Sequence, residues 1–171
     1  MHIIFTKVAT GANIAVRRAD GSSADSFLPA KGPVPHDAVH YFVERELGFA
    51  KGFWGLVAAG RHPEDIAEMA KQAGHASAKR AEAPDPSFVE AIQAERIVEA
   101  FEADHWSGGS GDPAQVSYLA DAGCAQSLVP SFPFDADKVA RVRVAIADFG
   151  ARWATIATGD SMRLDWDAGP S

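Results

Sequence analysis

An α+β fold is predicted by two features of this 171-residue chain. Short apolar segments bounded by turn residues fill the first thirty positions, and longer segments with helical periodicity follow from about residue 35. The expected architecture is a small antiparallel N-terminal β-meander packed against a mainly helical remainder. We expect one domain over residues 1–171, with the meander in 1–30, the helical part in 35–157 and a return strand in 161–167.

The meander is predicted from three apolar segments separated by two turns. The segments are Ile3 to Val8, Ile14 to Val16 and Ser26 to Leu28. Thr10 to Asn13 and Asp20-Gly21 supply the turns, because glycine and asparagine tolerate the backbone angles that tight turns require.

Several helices are predicted after a proline-rich loop that ends at Pro35. Their expected bounds are Pro35 to Leu47 with a glycine cap at Gly48, Phe53 to Ala59, Pro63 to Gly74, Asp85 to Asp104 and Pro113 to Ala122, with a linker at 75–86.

The last helix has the clearest periodicity, and its apolar stripe is expected to face the core. The stripe consists of Val139, Val142, Ile146, Phe149, Trp153 and Ile156. The alternating segment Ser161 to Trp166 then predicts a strand that returns to the edge of the N-terminal sheet.

Composition restricts the classes of function. The net charge of -7 argues against nonspecific binding to nucleic acid or to an acidic membrane. The expected partner is an unknown small-molecule or peptide substrate. The single cysteine, Cys124, excludes an intramolecular disulfide and favours the cytoplasm. No apolar segment approaches the length of a membrane span, and the composition leaves a homo-oligomer open.

The segment from His36 to Glu44 carries the main functional signal. His36 and His40 are four residues apart, so both imidazoles can reach one metal ion from the same side of a helix. Both are expected to face inward, and Glu44 extends their row. The positive end of the helix dipole is expected to keep His36 neutral, which is the form that binds metal.

The pattern His36-Asp37-x-x-His40 resembles the zinc-binding helix of the zincin metalloproteases, where a glutamate stands in place of Asp37. It is also similar to the His-Asp-x-x-His zinc site of a coenzyme Q biosynthesis family, which has a glutamate at the position of Gly52. The segment from Leu28 to Gly48, LPAKGPVPHDAVHYFVERELG, resembles a family of uncharacterised bacterial proteins. The first two resemblances imply zinc bound to a helix, and the third implies no reaction.

A metal on two histidines needs a further protein ligand. Glu44 is the nearest candidate, and Glu95, Glu99 and Glu102 share one arc of a later helix, where they could instead pair with arginines. We predict His36, His40, Glu44 and Glu99 as ligands of zinc or another divalent transition metal. Asp37, or alternatively a glutamate of the later helix, would then be the catalytic proton carrier of a hydrolase.

Two alternatives stay open at this point. The histidines could be structural, in an interaction or regulatory domain whose apolar surface contains Phe53 and Trp54. Glu102-x-x-His105 also has the spacing found in carboxylate-bridged di-metal bundles, although those use two such motifs.

Overall fold

The computed structural model describes residues 1–66, 68–69 and 84–167, and in them four strands form one antiparallel sheet. The order across the sheet is β3-β2-β1-β4. The strands are β1 (His2–Val8), β2 (Gly11–Arg17), β3 (Ser23–Pro29) and β4 (Ser161–Asp165). The N-terminal meander and the return strand at the sheet edge are thereby confirmed, and so is the α+β class.

The first hairpin is tighter than predicted. Val8 pairs with Gly11, so the loop is Ala9-Thr10, while Ala12 and Asn13 belong to β2. The side chain of Ala12 is buried in the core, so Ala12 lies in β2 although its neighbours Gly11 and Asn13 favour a turn. Gly11 is required here because a Cβ at this position would lie 2.0 Å from the carbonyl oxygen of Leu28 on the neighbouring strand.

The helices confirm most of the expected segments. They are α1 (His36–Leu47), α2 (Phe53–Ala58), α3 (Val89–Trp106), α4 (Pro113–Gln126) and α5 (Ala136–Thr155), and a 3-10 turn (Pro86–Phe88) precedes α3. Residues 63–66 and 68–69 are also helical, whereas the rest of the predicted helix to Gly74 and the linker up to residue 83 lie outside the described residues.

The core lies between the sheet and the helices. Phe5 of β1 contacts Phe149 of α5 and Trp54 of α2, with ring centroids 5.9 and 6.2 Å apart. The predicted stripe of α5 is buried from Val139 to Trp153. Because Phe5 contacts both helices, α2 is held against the sheet and beside α5.

Helix α1 is held at both ends. Pro35 precedes its first turn, and Gly48 at φ +78° ends it in the left-handed conformation that glycine adopts without strain. The Tyr41 hydroxyl donates to the carbonyl oxygen of Asp165 on β4 at 2.7 Å. Helix α1 also packs against α3 and α5, which places its histidines opposite the carboxylates of α3.

In the part of the chain that the structure describes, every helix is too short or too polar to cross a bilayer.

Candidate metal centre

His36, His40 and Glu95 each bring one potential ligand atom to within 4.8 Å of the others. The two histidines come from the first two turns of α1 and the glutamate from α3. The group therefore forms across the α1–α3 interface, where side chains of both helices are partly removed from water.

The His40 ring is held at both nitrogens. Its Nδ1 donates to Glu44 Oε1 at 2.9 Å, and its Nε2 lies 3.0 Å from Glu95 Oε2. Only 4% of the His40 side chain is exposed. The ring of Phe53 covers it, with centroids 5.5 Å apart. These contacts hold the His40 ring in one orientation, so little side-chain conformational entropy would be lost when a ligand binds to it.

The His36 ring follows the same pattern with different partners. Its Nδ1 donates to Glu102 Oε1 at 2.9 Å, and its Nε2 lies 3.7 Å from Glu95 Oε1. The His36 and His40 rings meet edge to face, with centroids 4.8 Å apart. In both histidines the Nδ1 atom contacts an outer carboxylate, and the Nε2 atom is directed at Glu95.

This arrangement matches the way proteins prepare histidine ligands. Metal-binding histidines commonly donate their second ring N–H to a carboxylate, which fixes the tautomer and the ring orientation. For a tetrahedral zinc with bonds of about 2.05 Å, neighbouring ligand atoms lie roughly 3.3 Å apart. The Nε2 atom of His40 lies 3.0 Å from Glu95 Oε2 and that of His36 lies 3.7 Å from Glu95 Oε1, so each imidazole is near this spacing from one of the two carboxylate oxygens.

Glu44 was predicted as a ligand, and the structure places it at the Nδ1 atom of His40, whereas Glu95 lies at the Nε2 atom. Its Oε1 accepts the amide N–H of Phe53 at 2.8 Å, and its Oε2 accepts that of Trp54 at 2.9 Å. These are the first two residues of α2, whose free N–H groups favour a carboxylate. Since the carboxylate already has three donors and is fully buried, it supports the ring and does not face Glu95.

Gly52 makes this contact possible. A Cβ at this position would lie 2.5 Å from the carboxyl carbon of Glu44. A glutamate here, as in the coenzyme Q biosynthesis family, would therefore collide with Glu44, and in this chain α3 supplies the carboxylate that faces the histidines.

Glu99, the other predicted carboxylate ligand, also lies outside the group. Its Oε2 pairs with Nη1 of Arg96 at 2.9 Å, and its side chain is 47% exposed. It remains close enough to Glu95, His36 and Glu102 for their charges to act on it. Burial raises the pKa of Glu99, while the positive charge of Arg96 lowers it.

Asp37 is a buried carboxyl beside the group. Within the described part of the chain its carboxylate accepts no hydrogen bond, and only 9% of the residue is exposed. Burial raises its pKa, whereas the charges of His40 and His36 lower it. The backbone of Asp37 is fixed by Trp54, whose Nε1 donates to its carbonyl oxygen at 2.7 Å.

The positive charges of His36 and His40 and the negative charge of Glu95 stabilise one another. Burial alone would lower the pKa of His36 and His40, but hydrogen bonds outweigh it, and they raise the pKa to about 9 for His36 and about 10 for His40. Burial alone would raise the pKa of Glu95, yet the hydrogen bonds from both rings hold it below the usual range. The prediction that the helix dipole keeps His36 neutral was wrong, because Glu102 and Glu95 outweigh the dipole.

Phe53 and Trp54 do not form the apolar surface expected for an interaction domain. Both are buried, Phe53 against His40 and Trp54 against Phe5. Phe53 covers one side of the His40 ring, and Trp54 packs against Phe53.

Of the three glutamates on the predicted arc, Glu95 and Glu102 contact the histidines, whereas Glu99 pairs with Arg96. The signal that distinguishes them is the seven-residue step from Glu95 to Glu102, which returns to nearly the same direction after two helical turns. Glu99 lies about 40° to one side of Glu95. Glu95 and Glu102 therefore extend from α3 in nearly the same direction, two turns apart, and each contacts one of the two histidines of α1.

Together the fold and the site define an α+β protein with a His/His/Glu group that could hold a metal ion. Comparisons with models of protein families, with curated proteins and with solved structures found no match.

Proposed function

We propose that the protein binds a divalent transition metal, zinc being the best fit, through His36 Nε2, His40 Nε2 and Glu95, and that it acts as a metal-dependent hydrolase. The observation that carries the proposal is the pairing of both Nδ1 atoms with outer carboxylates, Glu44 and Glu102. That pairing leaves both Nε2 atoms directed at one further carboxylate, the donor set of catalytic zinc sites.

The exposure of the group favours a catalytic site over a closed structural one. The side chains of His36 and Glu95 are 28% and 27% exposed, whereas that of His40 is 4% exposed. A metal held by three protein ligands, two of them partly exposed, would remain accessible to a solvent molecule. When bound there, zinc would supply a Lewis acid and lower the pKa of a water molecule.

Asp37 is the residue we assign to proton transfer. Within residues 1–66, 68–69 and 84–167 no hydrogen bond or ion pair holds the buried Asp37 carboxyl, so it can accept a proton and release it again. Burial raises its pKa, so the Asp37 carboxyl holds a proton more readily than an exposed aspartate does.

Elemental analysis of untagged protein tests the metal site. We expect about one zinc per chain in the wild type and in Glu99→Gln, and loss of most of it in Glu95→Gln. The two variants remove the same group from neighbouring turns of α3, so they separate a ligand from a nearby charge. Equal zinc content in both variants, or no zinc in the wild type after dialysis against zinc, would contradict the proposal.

Hydrolysis needs its own test, with p-nitrophenyl acetate and a peptide anilide as probes. Asp37→Asn should retain zinc but lose roughly 10²- to 10⁴-fold in kcat, the usual contribution of a general base. Turnover that is unchanged after zinc is removed with a chelator would rule out a metal-dependent hydrolase.

A second candidate function is a structural ion-pair network. It is favoured because a carboxylate faces every ring nitrogen of His36 and His40. In that case the group serves to join α1 to α3. Glu95→Gln would then lower the free energy of unfolding by about 3 kcal/mol or more, and zinc would leave the stability of the wild type unchanged.

A further inference from the structure

We propose that a cavity between the C-terminal end of α3 and α5 binds a small uncharged ring that carries an amide group. The α3 residues that line it include Phe101 and His105. They lie about 60–120° around the helix from Glu95 and Glu102, so the cavity occupies another face of α3 than the proposed metal site.

The cavity has a volume of about 240 Å³ and reaches from the core to the surface. The buried side chains of Phe101 and Ile146 line its inner part, and the exposed residues Gly108 and Ala147 line its rim. A water molecule in the liquid occupies about 30 Å³, so there is room for a ligand of roughly eight to ten non-hydrogen atoms.

Two glycines keep the rim open. Gly108 and Gly109 have φ angles of +100° and +64°, in the left-handed region that glycine adopts without strain. Their amide N–H groups donate to carbonyl oxygens in the last turn of α3 at 3.0 and 2.9 Å. A Cβ at either position would have no neighbouring atom within 4 Å, so the chain turns away from α3 without filling the space beside it.

Arg143 and Asp104 form a paired donor and acceptor in the wall of the cavity. Their side chains are only 15% and 10% exposed. The Nε and Nη2 atoms of Arg143 donate to the two oxygens of Asp104 at 2.8 and 2.6 Å, and Nη1 donates to the carbonyl oxygen of Gly111 at 3.0 Å. A guanidinium has five N–H groups, so two of them keep no acceptor among the described residues, and each Asp104 oxygen keeps a free lone pair.

His105 adds an imidazole without a partner. In the part of the chain that the structure describes, neither of its ring nitrogens takes part in a hydrogen bond or an ion pair, although the residue is partly buried and lines the cavity. A neutral imidazole offers one further donor and one further acceptor. The wall therefore presents hydrogen-bonding groups of both kinds to a ligand.

An amide group suits this wall better than a charged group does. Its oxygen can accept from Arg143 and its N–H can donate to Asp104, while the ring packs on Phe101 and Ile146. Asp104 neutralises Arg143, and the charge of Asp112 also acts on Arg143, so no excess of positive charge attracts a carboxylate. A cation would leave the free N–H groups of Arg143 without an acceptor.

Benzamide, benzoate and benzamidinium test this inference, because they place an amide, an anion and a cation on the same ring. The backbone amide resonances of Gly108 and Gly109 report binding. Benzamide should shift them in a saturable way, with a Kd of about 1 mM, and both charged probes should bind roughly tenfold more weakly. The absence of a saturable shift, or a charged probe that binds as tightly as benzamide, would overturn the inference.

Variants of α5 locate the bound probe. Ala147→Leu should weaken benzamide binding by about tenfold or more, because the larger side chain takes up space in the cavity. Ala140→Leu is the matched control, since it makes the same exposed change about two turns earlier on α5, outside the cavity. His105→Ala should weaken binding about two- to tenfold, the loss of one hydrogen bond. Equal affinity of Ala147→Leu and Ala140→Leu for benzamide would show that the probe binds elsewhere and would refute the proposal.

Discussion

The Nε2 atom of His40 lies 3.0 Å from Oε2 of Glu95, although the two residues are 55 positions apart in the chain. The contact joins α1 to α3 and brings the buried imidazole to the partly exposed carboxylate. The proposed metal site depends on that juxtaposition, because among the described residues Glu95 is the carboxylate that both Nε2 atoms face.

Glu102→Gln should weaken zinc binding about 10- to 100-fold without removing a ligand. The amide would no longer accept the Nδ1 proton of His36 as strongly, so the ring would lose its fixed orientation. Competition with a chromogenic chelator measures the affinity. Glu46→Gln, which removes a surface partner of Arg141, should leave it unchanged. The role given to Glu102 would be contradicted if both variants bound zinc like the wild type.

Gly52→Ala should destabilise the protein by about 1–3 kcal/mol, since the new Cβ would force Glu44 away from α2. Zinc affinity should fall as well, because Glu44 orients His40. Denaturant unfolding and zinc titration are the measurements. Gly111→Ala is the control, because a Cβ there meets only the end of the Gln115 side chain at 3.3 Å. Similar losses in both variants would refute the packing argument.

The ion pairs of the chelator-treated protein should stabilise it most between about pH 5 and 6.5. The pKa of His36 is raised from 6.5 to about 9 and that of His40 to about 10, so their contribution is complete below pH 6.5 and is lost as the pH rises through those values. The pKa of Glu95 is lowered from 4.5, so its contribution is present above that pH and is lost in acid.

The check is the difference in free energy of unfolding between wild type and Glu95→Gln, measured with urea at several pH values. It should be largest at mildly acidic pH and shrink above about pH 9. A difference that stays constant across this range would show that the histidines are not charged in the folded protein.

Trp54→Phe should cost about 1–3 kcal/mol, because it removes a buried donor to the Asp37 carbonyl oxygen. Thermal or denaturant unfolding measures the loss. Trp106→Phe is the surface counterpart and should change stability by less than about 0.5 kcal/mol. Equal stability of the two variants would mean that the hydrogen bond from Trp54 does not anchor α1.

Much of the fold could be predicted from local patterns. The alternating segments of the meander, the stripe of α5 and the cap at Gly48 each reflect short-range chemistry, and the structure confirms them. The boundary errors have local causes too. Ala12 joined a strand because its side chain is buried, which no turn preference could reveal.

The sequence by itself determined that two histidines share one face of a helix and that three glutamates share an arc of another, because helical periodicity alone sets those directions. Only the tertiary structure decided which carboxylate meets which imidazole. The approach of α2 committed Glu44 to the amides of Phe53 and Trp54, and the packing of α1 on α3 turned Glu95 toward both rings while Glu99 stayed with Arg96. Such choices depend on distances between elements far apart in the chain, which no local pattern encodes.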